Sequence, residues 1–322
     1  MLQRRAVQIL RGPERNKAVP RAATLRHASD ASYWLTRAFY VFSIFIAFET
    51  LQTLDHFSRS GRELIPLWPV FWAERFGLAA SAEGLAYALV ASAIAAVAFP
   101  ASRLPRVVFC VIFLMSVALL NSFGSLSHAD YYPLWVSFFM IFAPTRKLAH
   151  PAGPTAHYFY TLPFFATQLF IGFFYTLSGF YKTEGGLFPA EGYVSSFAPE
   201  ALPYMIMGRW VESAKPPMLE AFFAENIWLA WPVYLLVIYI ELVFIIAVFR
   251  PQLHRLFGIV MAAFHIGVFL TMGIVFTYQS ALVCLLFACS PFAPERFSLL
   301  QAVKQLPGLA IILSGLQRGL LR

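Results

Sequence analysis

Residues 170–193 read FIGFFYTLSGFYKTEGGLFPAEGY, and the reading of this stretch decides the fold. It opens as an uncharged apolar helix, reaches Lys182, and passes into sequence broken by glycine and proline. A helix that is apolar on every side needs lipid or protein around its whole circumference. An ammonium where such a helix meets its exit has two readings. It is a lysine whose long stem snorkels to the headgroups, or a reactive amine held beside a pocket.

The rest of the chain matches this stretch. Its 322 residues are 59% hydrophobic and 12% charged, with a mean hydropathy of +0.67. Soluble domains carry about 25% charged residues. Several apolar runs of about 17 to 25 residues instead predict an all-α, polytopic membrane bundle. The net charge of +8 does not describe a nucleic-acid groove, because seven basic residues fall in the first 30 positions and most others flank apolar runs. Cys110, Cys284 and Cys289 lie within apolar runs without metal-ligand spacing, so they read as small core residues and no metal is expected.

Eight spans are expected, over residues 33–54, 84–100, 105–121, 131–143, 160–181, 226–249 and two within 257–292. The last stretch is divided at Gly273 and Thr277-Tyr278-Gln279. Residues 55–83, with Pro66, Trp68, Pro69 and Trp72, read as a re-entrant or interfacial piece. With both termini cytoplasmic, 17 of the 24 Lys and Arg fall inside and 11 of the 16 acids outside, as the positive-inside rule asks. Three regions follow: a basic cytoplasmic tail (1–30), the transmembrane domain (31–297) and an amphipathic tail (298–322) on the inner surface. The first of these is arginine-rich but has no continuous apolar core of a secretory signal.

Ionisable groups at membrane depth need a partner or a purpose, since a central charge costs about 2.5–3.5 kcal/mol on insertion scales. Glu241 precedes Arg250 by nine residues and His265 follows Arg255 by ten, on consecutive helices. Counting inward at about 1.5 Å per residue puts both roughly 14–15 Å deep. A carboxylate–imidazole pair is therefore expected, either handling protons or joining two helices. The same count separates both from Lys182 by about half a membrane. Arg37 reads as a snorkelling side chain, Glu49 as a group needing a partner, and His128 and Asp130 as loop residues or cavity lining. Phosphate loops, dinucleotide fingerprints, zinc motifs and nucleophile elbows are absent from the sequence.

Four stretches carry a resemblance: 33–46 with Arg37, LSGFYK (177–182) followed by Gly192-Tyr193, IELVFIIAVFRPQLHR (240–255) and HIGVFLTMGIVF (265–276). Their order resembles the horizontally transferred transmembrane (HTTM) superfamily, which includes SdpB-like bacterial proteins and the membrane domain of vitamin K-dependent gamma-carboxylase. The likeness covers most of residues 31–292, with loose motifs. It implies that Lys182 matches the lysine taken as the base acting on reduced vitamin K, and that Glu241 and His265 line the membrane cavity. The tryptophan expected before Gly-Tyr is absent, with Phe188 near its place. The carboxylase's large soluble domain has no counterpart in this sequence, so propeptide carboxylation would need a partner chain to supply it. The expectations are therefore a multi-pass protein of a bacterial inner (plasma) membrane with Lys182, Glu241 and His265 as catalytic residues. It would act on or with a lipophilic, quinone-like molecule, a quinone or hydroquinone, in an outward-facing membrane cavity with Lys182 as base. A non-catalytic scaffold or accessory subunit is the other reading. A secondary transporter is a third, weakened because the sequence shows no inverted repeat.

Overall fold

The computed structural model describes residues 21–60, 63–124, 128–149, 152–212 and 217–308. Secondary structure among them is entirely helical. Most of the basic tail and residues 309–322 of the C-terminal tail lie outside these limits. The described chain falls into two compact units, parted at Thr167–Gln168.

In the first unit, α1 (Arg21–Arg59) is 39 residues long, starting well before the expected first span. It is followed by a short α2 (Ala73–Phe76), α3 (Leu78–Ala98), α4 (Leu104–Asn121), α5 (His128–Met140) and the start of α6 (Pro154–Leu187). A proline in the first turn of α4 supplies a pre-set φ where no backbone donor is needed. The interfacial stretch packs Val70 and Ala73 against Leu54, Ala82, Leu119 and Phe123, closing one end of α1, α3 and α4.

At the opposite end, the fully buried Arg106 donates to the carbonyls of Ala143 (2.7 Å), Pro100 (3.0 Å) and Pro144 (3.1 Å). The guanidinium fork thus joins the end of α3, the start of α4 and the chain leaving α5. Nearby contacts bring in α1 and α6. The Lys147 ammonium lies 5.0 Å from the Trp34 ring, and Ser29 Oγ meets His157 Nδ1 at 2.7 Å. At the far end of α4, Asn121 Nδ2 donates to the Tyr131 hydroxyl at 2.7 Å. The 13 residues of α5, about 20 Å of helix, therefore return along the whole length of α4.

The second unit holds the rest of α6, then α7 (Ala201–Glu212), α8 (Glu220–Glu225), α9 (Ile227–Val248), α10 (Pro251–Met272) and α11 (Thr277–Val283), which runs into a π-helical turn (Cys284–Ala288). A short α12 (Leu299–Lys304) follows. Pro251 opens α10, and Gly273, at φ +68°, closes it in the left-handed region that glycine adopts without strain. The buried cluster Ala201, Leu202, Ile206, Ala230, Tyr234 and Ile238 seats α7 on α9.

Among the described residues six helices are long and apolar enough to cross a membrane, which makes this an integral membrane protein with multiple passes. They are Leu25–Arg59, Ala79–Ala98, Leu104–Asn121, Pro154–Leu187, Ile227–Val248 and Pro251–Met272. The other two expected spans are shorter helices, α5 and Thr277–Ala288. Like α5, the latter doubles back on its predecessor: Ser290, just past its end, meets His254 in the first turns of α10 at 2.7 Å. The expected partner for Glu49 is not found among the described residues. Arg37 stays on its own helix, stacked on Tyr33 and donating to its hydroxyl.

Candidate functional site

The seam between α6 and α9 is built from small residues. A Cβ added at Gly179 would stand 2.7 Å from the backbone nitrogen of Leu242 and 2.9 Å from Glu241 Cβ. One added at Gly172 would stand 2.6 Å from Val248 Cγ2 and 3.4 Å from Ile245 Cα. Seven residues apart, these glycines lie on one face of α6 and let the two backbones approach closely. Thr176, between them, donates to the carbonyl of Glu241 (3.2 Å) and accepts from the amide of Ile245 (3.0 Å). These contacts fix the register of α6 on α9.

That register puts Lys182 opposite Glu241. Lys182 Nζ donates to Glu241 Oε2 at 2.6 Å and to Ser178 Oγ at 2.7 Å, while Ser178 donates to Glu241 Oε1 at 3.4 Å. The three side chains close a ring. The Glu241 side chain is 4% exposed and that of Lys182 is 22% exposed. Lysine is thus the open side of the pair and glutamate the buried one.

The half-membrane separation expected between Lys182 and Glu241 is therefore wrong. The depth count treated each helix as an upright rod ending at the membrane boundary. At 34 residues, α6 extends about 51 Å, well beyond a hydrocarbon core of about 30 Å, so it must tilt or project. It also does not stop at Lys182. It continues to Leu187 through Gly185 and Gly186, where the missing side chains admit Ser196 and the Phe197 ring.

The expected Glu241–His265 pair does not form either. His265 Nε2 meets the Tyr175 hydroxyl at 2.5 Å, and its Nδ1 has no hydrogen-bond partner among the described residues. Tyr175 stacks on Phe244 with ring centroids 5.0 Å apart, and His265 lies beside Phe264 and Phe276. Tyr175 and Lys182 are seven residues apart on α6, so the Tyr175–His265 contact sits about 10.5 Å along the helix from the ion pair. The structure therefore joins Lys182 to Glu241 and holds His265 apart, on a different partner.

Reading the sequence missed several polar residues. Gln168 Nε2 donates to the Leu286 carbonyl (2.5 Å) and to Ser290 Oγ (2.9 Å), and Ser290 in turn meets His254 Nδ1. The π-turn offers that carbonyl, since its wider winding departs from the regular α-helical ladder. A glutamine inside an apolar helix was a visible signal for this network. Tyr175 was visible only as one aromatic among many. Among the described residues no cluster of His, Cys, Asp and Glu could hold a metal ion.

Neither the protein-family models nor the curated proteins nor the solved structures contain a match to this chain.

Proposed function

We propose that this chain is an HTTM-like membrane protein that handles a lipophilic, ionisable molecule of quinone type at Lys182, reached laterally from the bilayer. The observation that carries the reading is the asymmetric ion pair: a partly exposed ammonium 2.6 Å from a buried carboxylate. A proton passed from Lys182 Nζ to Glu241 Oε2 converts two charges into two neutral groups, a change that a low-dielectric setting favours. It leaves an amine lone pair at Nζ on the open side. Ser178 keeps the amine directed at the carboxylate. Phe180 and Tyr181, both exposed, flank the lysine with apolar surface that suits a ring or an isoprenoid tail. A hydroquinone would bring an ionisable hydroxyl to this place.

The eight-crossing arrangement with both termini cytoplasmic belongs to the same proposal. It is supported by the way α5 and the α11–π segment double back along their neighbours. In the first unit Arg103, Arg106, Arg146 and Lys147 gather at one end, and Asp55, Glu63, Glu74 and Glu83 lie on the chain at the other. A bacterial inner membrane fits that polarity.

A second reading rests on Thr176 and Tyr175, which fasten α6 to α9 and α10 with no need for chemistry. The chain would then be a scaffold or accessory subunit whose polar groups fix helix packing. Extraction of the purified protein followed by mass spectrometry of lipophilic compounds separates the two. The first reading expects a quinone-type molecule in stoichiometric amount that Lys182→Met removes while the protein stays inserted. Equal recovery from the wild type and an inserted Lys182→Met variant would sink it. A stoichiometric protein partner in mild detergent would support the scaffold.

A further inference from the structure

The basic end of the first unit carries a cavity of about 280 Å³ that the Lys182 site does not explain. Three cations line it, Arg103 at the start of α4 and Arg146 and Lys147 in the segment leaving α5, and no acid is among the lining residues. None of the three has an ion-pair partner among the described residues. Lys147 is held in place by the Trp34 and Tyr33 rings, whose centroids lie 5.0 and 5.8 Å from its ammonium.

Other features of the cavity also suit an anion. The backbone amides of residues 145–149 make no hydrogen bond among the described residues. Tyr160 also lines the cavity, with its hydroxyl buried away from solvent. Cations and free amides together are a donor set that phosphate oxygens accept from. The cavity is also flanked by Phe142 and Phe159, which are 53% and 70% exposed. Large exposed aromatics beside a polar donor set, at the end of helices that cross a bilayer, give a surface for acyl chains beside a site for a headgroup.

We propose that Arg103, Arg146 and Lys147 bind the phosphate of an anionic phospholipid, whose acyl chains lie along Phe142 and Phe159. The headgroup would bridge the α3–α4 turn and the α5–α6 connection, which in the described chain are joined across this end by Arg106. Charge favours an anionic lipid, since each cation near such a surface contributes a factor of about five in binding. The aromatic flanks favour a lipid over a free phosphate compound.

The test uses the full-length protein, delipidated and titrated with phosphatidylglycerol or phosphatidylcholine under native mass spectrometry. Expected is one tightly retained phosphatidylglycerol per chain that phosphatidylcholine does not replace and millimolar inorganic phosphate does not displace. Arg103→Gln/Arg146→Gln/Lys147→Gln should weaken retention on the order of a hundredfold. Arg296→Gln, which removes a cation outside the cavity lining, should leave retention unchanged, a result that a diffuse basic surface would not produce. If the triple variant fails to insert, Arg146→Gln alone should show a loss of about fivefold. Retention unchanged in the charge variants, or weakened as much by Arg296→Gln as by Arg146→Gln, overturns the site. Displacement by inorganic phosphate at matched concentration overturns the lipid as its ligand.

Discussion

Replacing Lys182 with methionine leaves the Glu241 carboxylate in a 4% exposed position with only Ser178 to bond it. A stranded buried charge costs about 3–5 kcal/mol. Because the lysine side is 22% exposed, solvent or headgroups can reach the vacated space, and we take about 2–3 kcal/mol for Lys182→Met. Glu241→Met leaves a lysine that keeps its bond to Ser178 and can swing outward, at about 1–2 kcal/mol. Replacing both with methionine removes both charges and fills similar volume, which is often nearly neutral. The coupling energy is then about 3–5 kcal/mol, against a mean of about 0.6 kcal/mol for interhelical hydrogen bonds in a membrane bundle.

The cycle is measured by titrating the purified protein from mild micelles into dodecyl sulfate and following helix content for the four proteins. Single costs that add to within about 0.5 kcal/mol in the double variant would refute a directly coupled pair. The double variant also separates the two functional readings. Under the scaffold reading it should restore partner binding along with stability, whereas under the proton-handling reading it is stable and inert.

Three further outcomes follow from the packing. Gly179→Ala sets a Cβ against the backbone of α9, so it should cost about 1–3 kcal/mol despite alanine's better helix propensity, in the same titration. Gly258→Ala should behave alike, because its Cβ would fall 2.3 Å from the Ala288 amide nitrogen in the π-turn. Arg106→Lys keeps the charge but cannot serve three carbonyls in one plane. It should lose about 1–3 kcal/mol, as read from the detergent midpoint. A cytoplasm-dependent reporter inserted after Leu148 should match one fused to the N-terminus if α5 crosses the membrane, and should differ if it does not.

Composition and charge made the helical class, most span positions and the basic and acidic ends legible. They did so because lipid imposes apolar length and charge asymmetry locally, within one segment at a time. The register between helices was not legible. It is set by where two backbones can touch, and the signal lay in Gly172, Thr176 and Gly179 at near-heptad spacing, not in distance from the nearest basic turn. Counting residues inward from Arg250 and Arg255 placed Glu241 and His265 level, and each helix's rotation then gave them different partners. The functional weight placed on Lys182 survives as a proposal, with a nearer carboxylate than depth had allowed.

The geometry also bears on a transporter reading, because coupling a substrate to protons needs a proton path through the layer. Lys182, Ser178 and Glu241 form a closed ring within which a proton can shift without any side chain turning. Further along α6, the next titratable contact on this face is Tyr175–His265, about 10.5 Å away along the helix. That is several hydrogen-bond lengths, and the side-chain hydrogen bonds of Glu241 go to Lys182 and Ser178. Within the ring, Glu241 meets Lys182 directly, and Lys182 is the more exposed of the two. Under the proposed function the pair exchanges protons at its open side, which suits local acid–base work at a lipophilic molecule, whereas proton-coupled transport would need a path linking this ring to the Tyr175–His265 contact.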